Sequence, residues 1–301
     1  MDFVSLSSNL TNYDMKILVT GANGQLGREL RNVLESNIPG QTIYTDVEEL
    51  DLIDANAVDV FFKRNEISHV VNCAAYTAVD KAEEEKLECA AVNVNAVKNL
   101  ATAADATGAK IIHISTDYVF DGTAYRPYKE SDKVNPISQY GTTKRKGETA
   151  LLALAPESII IRTSWLYSPY GNNFVKTMLR LGKEQSKIKV VCDQIGSPTY
   201  AYDLANAIYK ILMSHQWVEG IFHFANEGVC SWYDFAKSIH RIAGIKECNI
   251  SPIPTEEYPT TASRPFYSIF DKSRIKATYS AEVPYWEDSL IDCIKRLENE
   301  K

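Results

Sequence analysis

A glycine-rich segment directly after a short apolar run is the feature of this chain that most restricts its fold. The run Ile17-Leu18-Val19 is typical of a buried parallel strand, and Gly21, Gly24 and Gly27 follow it. Apolar residues then recur at helical spacing, so a helix continues from the turn. Such a turn lets the backbone approach a pyrophosphate, whose charge meets the helix N-terminus. The segment therefore predicts a dinucleotide-binding turn, with the spacing G-x-x-G-x-x-G instead of the standard G-x-G-x-x-G.

The second predicted strand, residues 42–45, ends at an acidic residue. Asp46 follows the glycines by about twenty residues, where dinucleotide-binding folds place an acid that binds the ribose 2′-hydroxyl. An ordinary tight turn would explain the glycines, but it would not explain why a strand, a helix and an acidic residue stand at the expected distances from them. No Arg or Lys lies between Asp46 and Lys63, whereas a 2′-phosphate normally requires an arginine nearby. We therefore expect NADH to be used at least comparably to NADPH.

Strands and helices alternate through the first half of the chain. Predicted strands at 70–72, 110–115 and 158–162 are separated by predicted helices at 55–63, at 88–107 and from about residue 138. This alternation indicates an α/β fold with a Rossmann-type doubly wound parallel sheet. Beyond residue 165 the pattern becomes irregular and prolines become frequent. We predict an N-terminal extension at 1–14, a dinucleotide-binding domain at 15–165 and a smaller substrate-binding lobe at 166–301, with a segment near 190–213 returning to the main domain.

Composition excludes several classes of function. The formal net charge of −7 argues against a nucleic-acid partner. No apolar run approaches the roughly 20 residues that cross a membrane, and residues 1–14 lack the features of a signal peptide. The six cysteines have no metal-ligand spacing with the five histidines, which predicts reduced thiols and a cytoplasmic location. His113 lies in a predicted strand, where a core histidine is expected more often than a catalytic one.

A Tyr-x-x-x-Lys pair supplies the first candidate for catalysis. Tyr140 and Lys144 are four residues apart in a predicted helix and therefore share one helical face. A nearby positive charge favours the phenolate, so we expect Lys144 to lower the pKa of Tyr140. The pair would then supply a proton to a carbonyl group that is being reduced. Chance often produces a Tyr-x-x-x-Lys pattern. The glycine-rich turn in the same chain is what makes a catalytic role for this pair more convincing.

Together these motifs resemble the extended short-chain dehydrogenase/reductase superfamily, and further segments resemble its dTDP-4-dehydrorhamnose reductase family. The similarity begins near Met15 and extends almost to the C-terminus. The segments that carry it are Asn72 to Glu83 (NCAAYTAVDKAE), Ser115 to Gly122 (STDYVFDG), Arg162 to Tyr167 (RTSWLY), Gly171 to Phe174 (GNNF), Asp193 to Thr199 (DQIGSPT) and Ala262 to Pro265 (ASRP).

The resemblance implies roles for particular residues. Thr116 matches the position whose hydroxyl binds the carbonyl oxygen, so Thr116, Tyr140 and Lys144 are the candidate catalytic residues; a strand-end hydroxyl that bonds local backbone is the alternative for Thr116. The candidate coenzyme-binding residues are Gly21, Gly24, Gln25, Leu26, Gly27, Asp46, Asp51, Leu52, Ala75, Tyr76, Thr77, Tyr140 and Lys144.

Candidate substrate-binding residues also follow from the resemblance. Thr116 and Asp117 would contact the sugar, and Trp165 would lie against it, with a core aromatic nearly as good an explanation. Asn172, Asn173 and Arg264 would hold the nucleotide diphosphate, and arginine suits phosphate because its planar fork offers paired donors. Capping, turn and surface roles are the alternatives for these three residues.

The implied function is reduction of the C4 ketone of dTDP-4-dehydro-β-L-rhamnose to dTDP-β-L-rhamnose, with NADPH or NADH as coenzyme. One alternative is another nucleotide-sugar epimerase or dehydratase of the superfamily. Dehydratases carry an acid directly after Thr-Asp, whereas Tyr118 stands there in this chain. A second alternative is a non-catalytic regulatory subunit that resembles the β subunit of methionine adenosyltransferase, although Thr116, Tyr140 and Lys144 are all present.

The resemblance leaves a homodimer open, because some similar reductases dimerise through a divalent cation, Mg²⁺, held by carboxylates. Glu29 matches one such position. The second falls near Tyr202-Asp203, where the register does not match cleanly. We therefore predict no metal site.

Overall fold

A parallel sheet of six strands forms the centre of the protein. The computed structural model describes residues 15–299, so the predicted extension 1–14 lies outside the described residues. The strands are β1 (Ile17–Thr20), β2 (Thr42–Thr45), β3 (His69–Asn72), β4 (Lys110–Thr116), β5 (Ile159–Thr163), β6 (Leu166–Tyr167), β7 (Lys187–Val191), β8 (Ile195–Gly196), β9 (Thr199–Tyr200), β10 (Gly220–His223), β11 (Cys230–Ser231) and β12 (Asn249–Ile253).

The order across the main sheet is β10-β5-β4-β3-β1-β2, and every pair of neighbours is parallel. The helices are α1 (Gln25–Asn37), α2 (Ala55–Asn65), α3 (Lys86–Ala90), α4 (Ala96–Thr107), α5 (Gln139–Leu154), α6 (Phe174–Glu184), α7 (Ala201–Leu212), α8 (Trp232–Ile242), α9 (Ser273–Tyr279) and α10 (Trp286–Asn299). In residues 15–299, no helix is both long and apolar enough to cross a membrane.

Both faces of the sheet are covered by helices. Ile17 and Val19 of β1 share a core with α1 and α7, whereas Leu18 between them packs in a second core with α2 and α4. Successive side chains of a strand point to opposite faces, so a strand buried on both sides has to be apolar throughout. The predicted doubly wound parallel sheet is confirmed.

The predicted helix 88–107 is not one regular helix. It consists of α3, a π-helical turn at Ala91–Asn95, and α4. The amide of Asn93 accounts for the turn, because it bonds the backbone N–H and carbonyl of Tyr76 at 2.9 and 3.1 Å and donates to Thr143 Oγ1 at 3.1 Å. The main-chain carbonyl of Asn93 then comes so close to α5 that a Cβ on Gly147 would lie 2.3 Å from it. Such π-turns are frequent next to functional sites.

A smaller lobe is built mainly from the second half of the chain. Its core combines side chains of β7, β12, α6, α8 and α10, including Val175, Ile188, Phe235 and Leu290. Strands β7 and β12 pair in parallel apart from the main sheet. Between these elements, α7 packs in the core of the main sheet, and β10 becomes the edge strand beside β5. The segment returning to the main sheet therefore extends to His223, and β10 is a strand that the sequence pattern did not predict.

Candidate active site

A cavity of about 730 Å³ opens at the carboxyl ends of the central strands. Much of its wall is formed by residues that end or closely follow β1, β2, β3, β4 and β5, and α5 adds Tyr140 and Lys144. Ligands of open parallel sheets bind at this edge. The candidate residues that line it are Gly21, Gly24, Gln25, Leu26, Gly27, Asp46, Asp51, Leu52, Ala75, Thr77, Thr116, Asp117, Tyr140, Lys144, Trp165 and Asn172.

The glycine-rich turn has the geometry of an anion site. Gly21 has a φ of +62°, and a Cβ there would lie 2.7 Å from the Ala74 amide nitrogen. A Cβ on Gly27 would lie 2.5 Å from the Gly21 carbonyl oxygen, so α1 approaches the turn as closely as backbone allows. Gly24 caps α1 without a side chain, which leaves first-turn N–H groups at the cavity. These groups fit a pyrophosphate, since a helix N-terminus attracts negative charge.

Asp46 lies in the cavity at the end of β2 and supports the glycine-rich turn. One carboxylate oxygen accepts a hydrogen bond from the Asn23 N–H at 3.0 Å, and the other accepts one from the Val47 N–H at 2.9 Å. The two nearest arginines of α1 have other contacts: Arg28 donates to the Asn23 carbonyl, and Arg31 lies over the ring of Tyr44. Both Asp46 and Arg28 therefore bond the main chain of the turn at Asn23.

Thr116, Tyr140 and Lys144 come together although β4 and α5 bring them from different parts of the chain. Ser138 fixes the start of α5, because its hydroxyl accepts the Gly141 N–H at 3.1 Å. A Cβ on Gly141 would lie 2.2 Å from the Tyr118 carbonyl oxygen, so this helix end packs directly on the segment after β4. The geometry places the phenol of Tyr140 beside Thr116.

Burial, rather than Lys144, dominates the acidity of Tyr140. Desolvation raises the pKa of Tyr140, the hydrogen bond with Thr116 opposes this, and the charge of Asp117 adds to it. The expectation that Lys144 lowers the pKa of Tyr140 is therefore not met. A raised pKa keeps the phenol protonated near neutral pH, which is the form that a proton donor requires.

Lys144 is almost completely buried at 2% exposure. Its ammonium group donates to the carbonyl of Ile114 at 2.7 Å and lies 3.4 Å from His113 Nε2. Desolvation lowers the pKa of Lys144 to about 8, against the opposing charge of Glu148. A lysine in this state is charged below about pH 8 and neutral above it.

The wall of the cavity also includes an aromatic residue in an unusual backbone conformation. Trp165 has a φ of +49°, a region that is costly for a large side chain. Its indole stacks on Trp232 with ring centroids 3.6 Å apart, and a Cβ on Gly196 would meet that indole at 2.5 Å. Trp165 thus lines the cavity while Trp232 and Gly196 hold its indole in place.

Asp117 is another cavity residue with a perturbed environment. Burial raises its pKa to about 6.

Three candidate residues are not part of the cavity wall. The phenol of Tyr76 donates to Glu85. Asn173 caps α6 by accepting the Lys176 N–H at 3.1 Å and donates to Gln25 Oε1 at 2.9 Å, so its capping alternative describes it better. Arg264 forms a bidentate ion pair with Asp80 at 3.1 and 2.6 Å.

Sequence reasoning missed several residues of the wall. Cys73, Ile114, Ser115, Ser164 and Gly171 line the cavity but were not predicted. Four of them lie at or just after the end of a predicted strand, and this position could have identified them as residues of the cavity wall. Ser115 is next to Thr116, yet its hydroxyl donates to Glu148 at 2.6 Å and is therefore not available to a ligand.

The donor set around Glu29 does not fit a bridging cation. Glu29 is fully buried and forms an ion pair with Arg296 at 3.0 Å. Asp203, near the second matched position, accepts hydrogen bonds from Asn226 Nδ2 at 2.6 Å and Ser289 Oγ at 2.5 Å. In the described part of the chain, no three His, Cys, Asp or Glu side chains are grouped to hold a metal.

Replacing Arg296 with methionine should lower the free energy of unfolding by about 1–3 kcal/mol, because Glu29 would remain buried without its charged donor. Urea denaturation measures the change. The matched control is Arg180→Met, which removes the exposed pair with Glu184 and should change stability by less than about 0.5 kcal/mol. Equal effects of the two substitutions would contradict the role given to Arg296.

Comparison with known proteins extends these observations. The family described as RmlD substrate binding domain matches residues 15–299. A dTDP-4-dehydrorhamnose reductase of Aggregatibacter actinomycetemcomitans is 42% identical over 284 residues, which cover 91% of this chain and 97% of the relative.

Two crystal structures are similar over the same length. A dTDP-4-dehydrorhamnose reductase from Clostridium acetobutylicum is 47% identical with a TM-score of 0.91, and the similarity covers 94% of this chain and all of that one. The enzyme of the same name from Bacillus anthracis, in complex with NADP, is 41% identical with a TM-score of 0.89, covering 95% of this chain and 99% of the other. With this identity over nearly the full length of both chains, the protein belongs to the dTDP-4-dehydrorhamnose reductase family.

Proposed function

We propose that this protein reduces the C4 ketone of dTDP-4-dehydro-β-L-rhamnose to dTDP-β-L-rhamnose with a nicotinamide coenzyme. The observation that carries the proposal is the joint cavity: Thr116, Tyr140 and Lys144 share it with the glycine-rich turn. A coenzyme pyrophosphate at that turn and a ketone at Tyr140 fit within one continuous space. Family membership supplies the identity of the nucleotide and of the sugar.

When bound, the coenzyme supplies a hydride to the ketone carbon. The side chains act on the ketone oxygen, where negative charge develops. Thr116 and Tyr140 can both donate hydrogen bonds to that oxygen, and Tyr140 then transfers its proton to complete the alcohol. The Thr116 hydroxyl donates to Asp117 Oδ1 at 3.0 Å and has to rotate to donate to the ketone oxygen. These interactions strengthen as charge develops, so they favour the transition state over the substrate.

Lys144 and Trp165 would position the two ligands. The Lys144 ammonium, next to Tyr140 on α5, would donate to the nicotinamide ribose. The Trp165 indole would form the surface against which the sugar ring lies, because it lines the cavity and is held by Trp232. Asn172 is the candidate donor at the nucleotide end of the cavity.

A panel of dTDP-, UDP- and GDP-4-keto-sugars, tested with NADPH and NADH, distinguishes the proposed function from its alternatives. Coenzyme oxidation with the dTDP-keto-sugar is expected. Substrate conversion without net coenzyme oxidation would instead indicate an epimerase or dehydratase. A stable complex with a synthetase and no turnover would indicate a regulatory subunit.

Asp46 should set the coenzyme preference. Its carboxylate can accept bonds from a free ribose 2′-hydroxyl, and it repels a 2′-phosphate. We expect kcat/KM for NADH to be at least comparable to that for NADPH, and Asp46→Ala to shift the ratio toward NADPH. Steady-state kinetics with each coenzyme measures it.

The matched control is Asp46→Asn, which removes the charge and can still accept the bond from the Asn23 N–H. If charge repulsion is the cause, both variants shift the ratio. A hundredfold preference of the wild-type enzyme for NADPH would contradict this role of Asp46.

A further inference from the structure

A buried chain of hydrogen bonds connects side chains of three neighbouring strands, β1, β3 and β4, to Lys144. The hydroxyl of Thr20 donates to Asn72 Oδ1 at 2.7 Å, and Asn72 Nδ2 lies 3.0 Å from His113 Nδ1. His113 Nε2 in turn lies 3.4 Å from Lys144 Nζ. These four side chains are at most 2% exposed.

The position of the proton on His113 follows from this chain. The backbone N–H of Ala74 donates to Asn72 at 3.1 Å, so the atom that it meets must be the oxygen Oδ1. Asn72 therefore presents its NH₂ group to His113, and an NH₂ group can only donate. His113 Nδ1 must accept, which assigns the imidazole proton to Nε2. Burial also lowers the pKa of His113 well below its ordinary value, so the ring is neutral.

The proton on Nε2 faces the amine of Lys144. An ammonium group has only donors, whereas a neutral amine has a lone pair that can accept this N–H. We propose that His113, set in its Nε2–H tautomer by Asn72, is a positioning residue that favours the neutral amine of Lys144 and so lets this lysine release a proton near neutral pH. The proposal rests on the proposed function in one respect, namely that the charged lysine binds the coenzyme ribose.

Other groups also act on Lys144. Burial has the largest effect and favours the neutral amine, and the carboxylate of Glu148 opposes it. The thiols of Cys73 and Cys89 act in the same direction as Glu148, Tyr140 lies one turn earlier on α5, and His113 presents an N–H to the amine. Because the charged form would hold the ribose, coenzyme binding should weaken as the pH rises through about 8.

Two variants remove the Nε2–H group that faces Lys144, each in a different way. Asn72→Asp replaces the NH₂ donor with an acceptor, so the imidazole proton should move to Nδ1 and Nε2 should accept from the ammonium. His113→Phe removes the N–H without adding a charge. The control is His223→Phe, which alters another buried histidine two strands away in the same sheet.

The first measurement is ¹⁵N NMR of the five histidines, with the His113 signals assigned by their loss in His113→Phe. We expect a neutral Nε2–H ring in the wild type and a neutral Nδ1–H ring in Asn72→Asp. An Nδ1–H or doubly protonated ring in the wild type would overturn the proposal, and this reading needs no stable variant, because the other four histidines can be assigned instead.

The second measurement is the Kd of NADPH as a function of pH, followed by fluorescence. In Asn72→Asp and in His113→Phe, the midpoint of the loss of binding should move upward by about one pH unit, and in His223→Phe it should not move. A shift in Asn72→Asp alone would mean that the added charge, not the tautomer, acts on Lys144, and no shift in either would also refute the proposal. Neither measurement uses the sugar, so absence of turnover would count against the proposed function only.

Discussion

Replacing Tyr140 with phenylalanine should lower kcat with the keto-sugar by about a hundredfold or more and leave the Kd of the coenzyme nearly unchanged. The substitution removes the phenol hydroxyl of Tyr140 beside Thr116 and keeps the ring, which packs edge-on against Tyr118, another cavity residue. Without the proton donor, the alkoxide that forms at C4 has to take its proton from water. Steady-state kinetics and coenzyme titration measure the two effects separately.

A suitable control for this substitution is Tyr128→Phe. Tyr128 is also buried, but it stacks on Phe120 and donates to Asp121 at 3.2 Å, outside the main cavity. Its kcat should stay close to that of the wild type. A Tyr140→Phe enzyme with wild-type kcat would show that another group donates the proton.

Replacing Arg162 with methionine should lower the free energy of unfolding by about 3–5 kcal/mol, because it removes the buried cation that is paired with the buried carboxylate of Glu148. Arg162 of β5 is 1% exposed and binds Glu148 of α5 through two hydrogen bonds, at 2.8 and 2.7 Å. Ser115 and Arg145 donate to the same carboxylate. Urea denaturation at neutral pH gives the loss.

The double variant Arg162→Met, Glu148→Leu should lose less stability than Arg162→Met alone, since it no longer buries a carboxylate that lacks its buried cation. Burial raises the pKa of Glu148, but the hydrogen bond and charge of Arg162 outweigh it, so that this pKa is lowered in the folded protein. The stabilisation is therefore present above the unfolded-state pKa of 4.5 and is lost as the pH falls through the folded value. A double variant less stable than the single one would contradict this account.

Local patterns predicted the part of the site that one stretch of chain builds by itself. The glycine-rich turn depends on residues 21–27 and their own φ angles, and the pairing of Tyr140 with Lys144 needs only helical periodicity. The strand pattern also predicted that the site lies at the carboxyl ends of the strands, because open parallel sheets bind their ligands at this edge.

Contacts between distant residues account for what was missed. Arg264 has the chemistry to bind a phosphate, yet Asp80 pairs with it from 184 positions away. Lys144 was expected to act on Tyr140, but in the fold it lies against the Ile114 carbonyl and His113. The sequence at 220–223 has no distinctive strand pattern, and it becomes β10 because β5 offers an unpaired edge.

The late arrival of β10 has a consequence for synthesis of the chain. Strand β5 consists of residues 159–163, so it leaves the ribosome well before residues 220–223 can pair with it. Until then, the apolar run Ile159-Ile160-Ile161 pairs with β4 on one side and has an open edge on the other, and such edges recruit other chains. We therefore expect the nascent protein to be prone to association with other chains across this interval of about sixty residues.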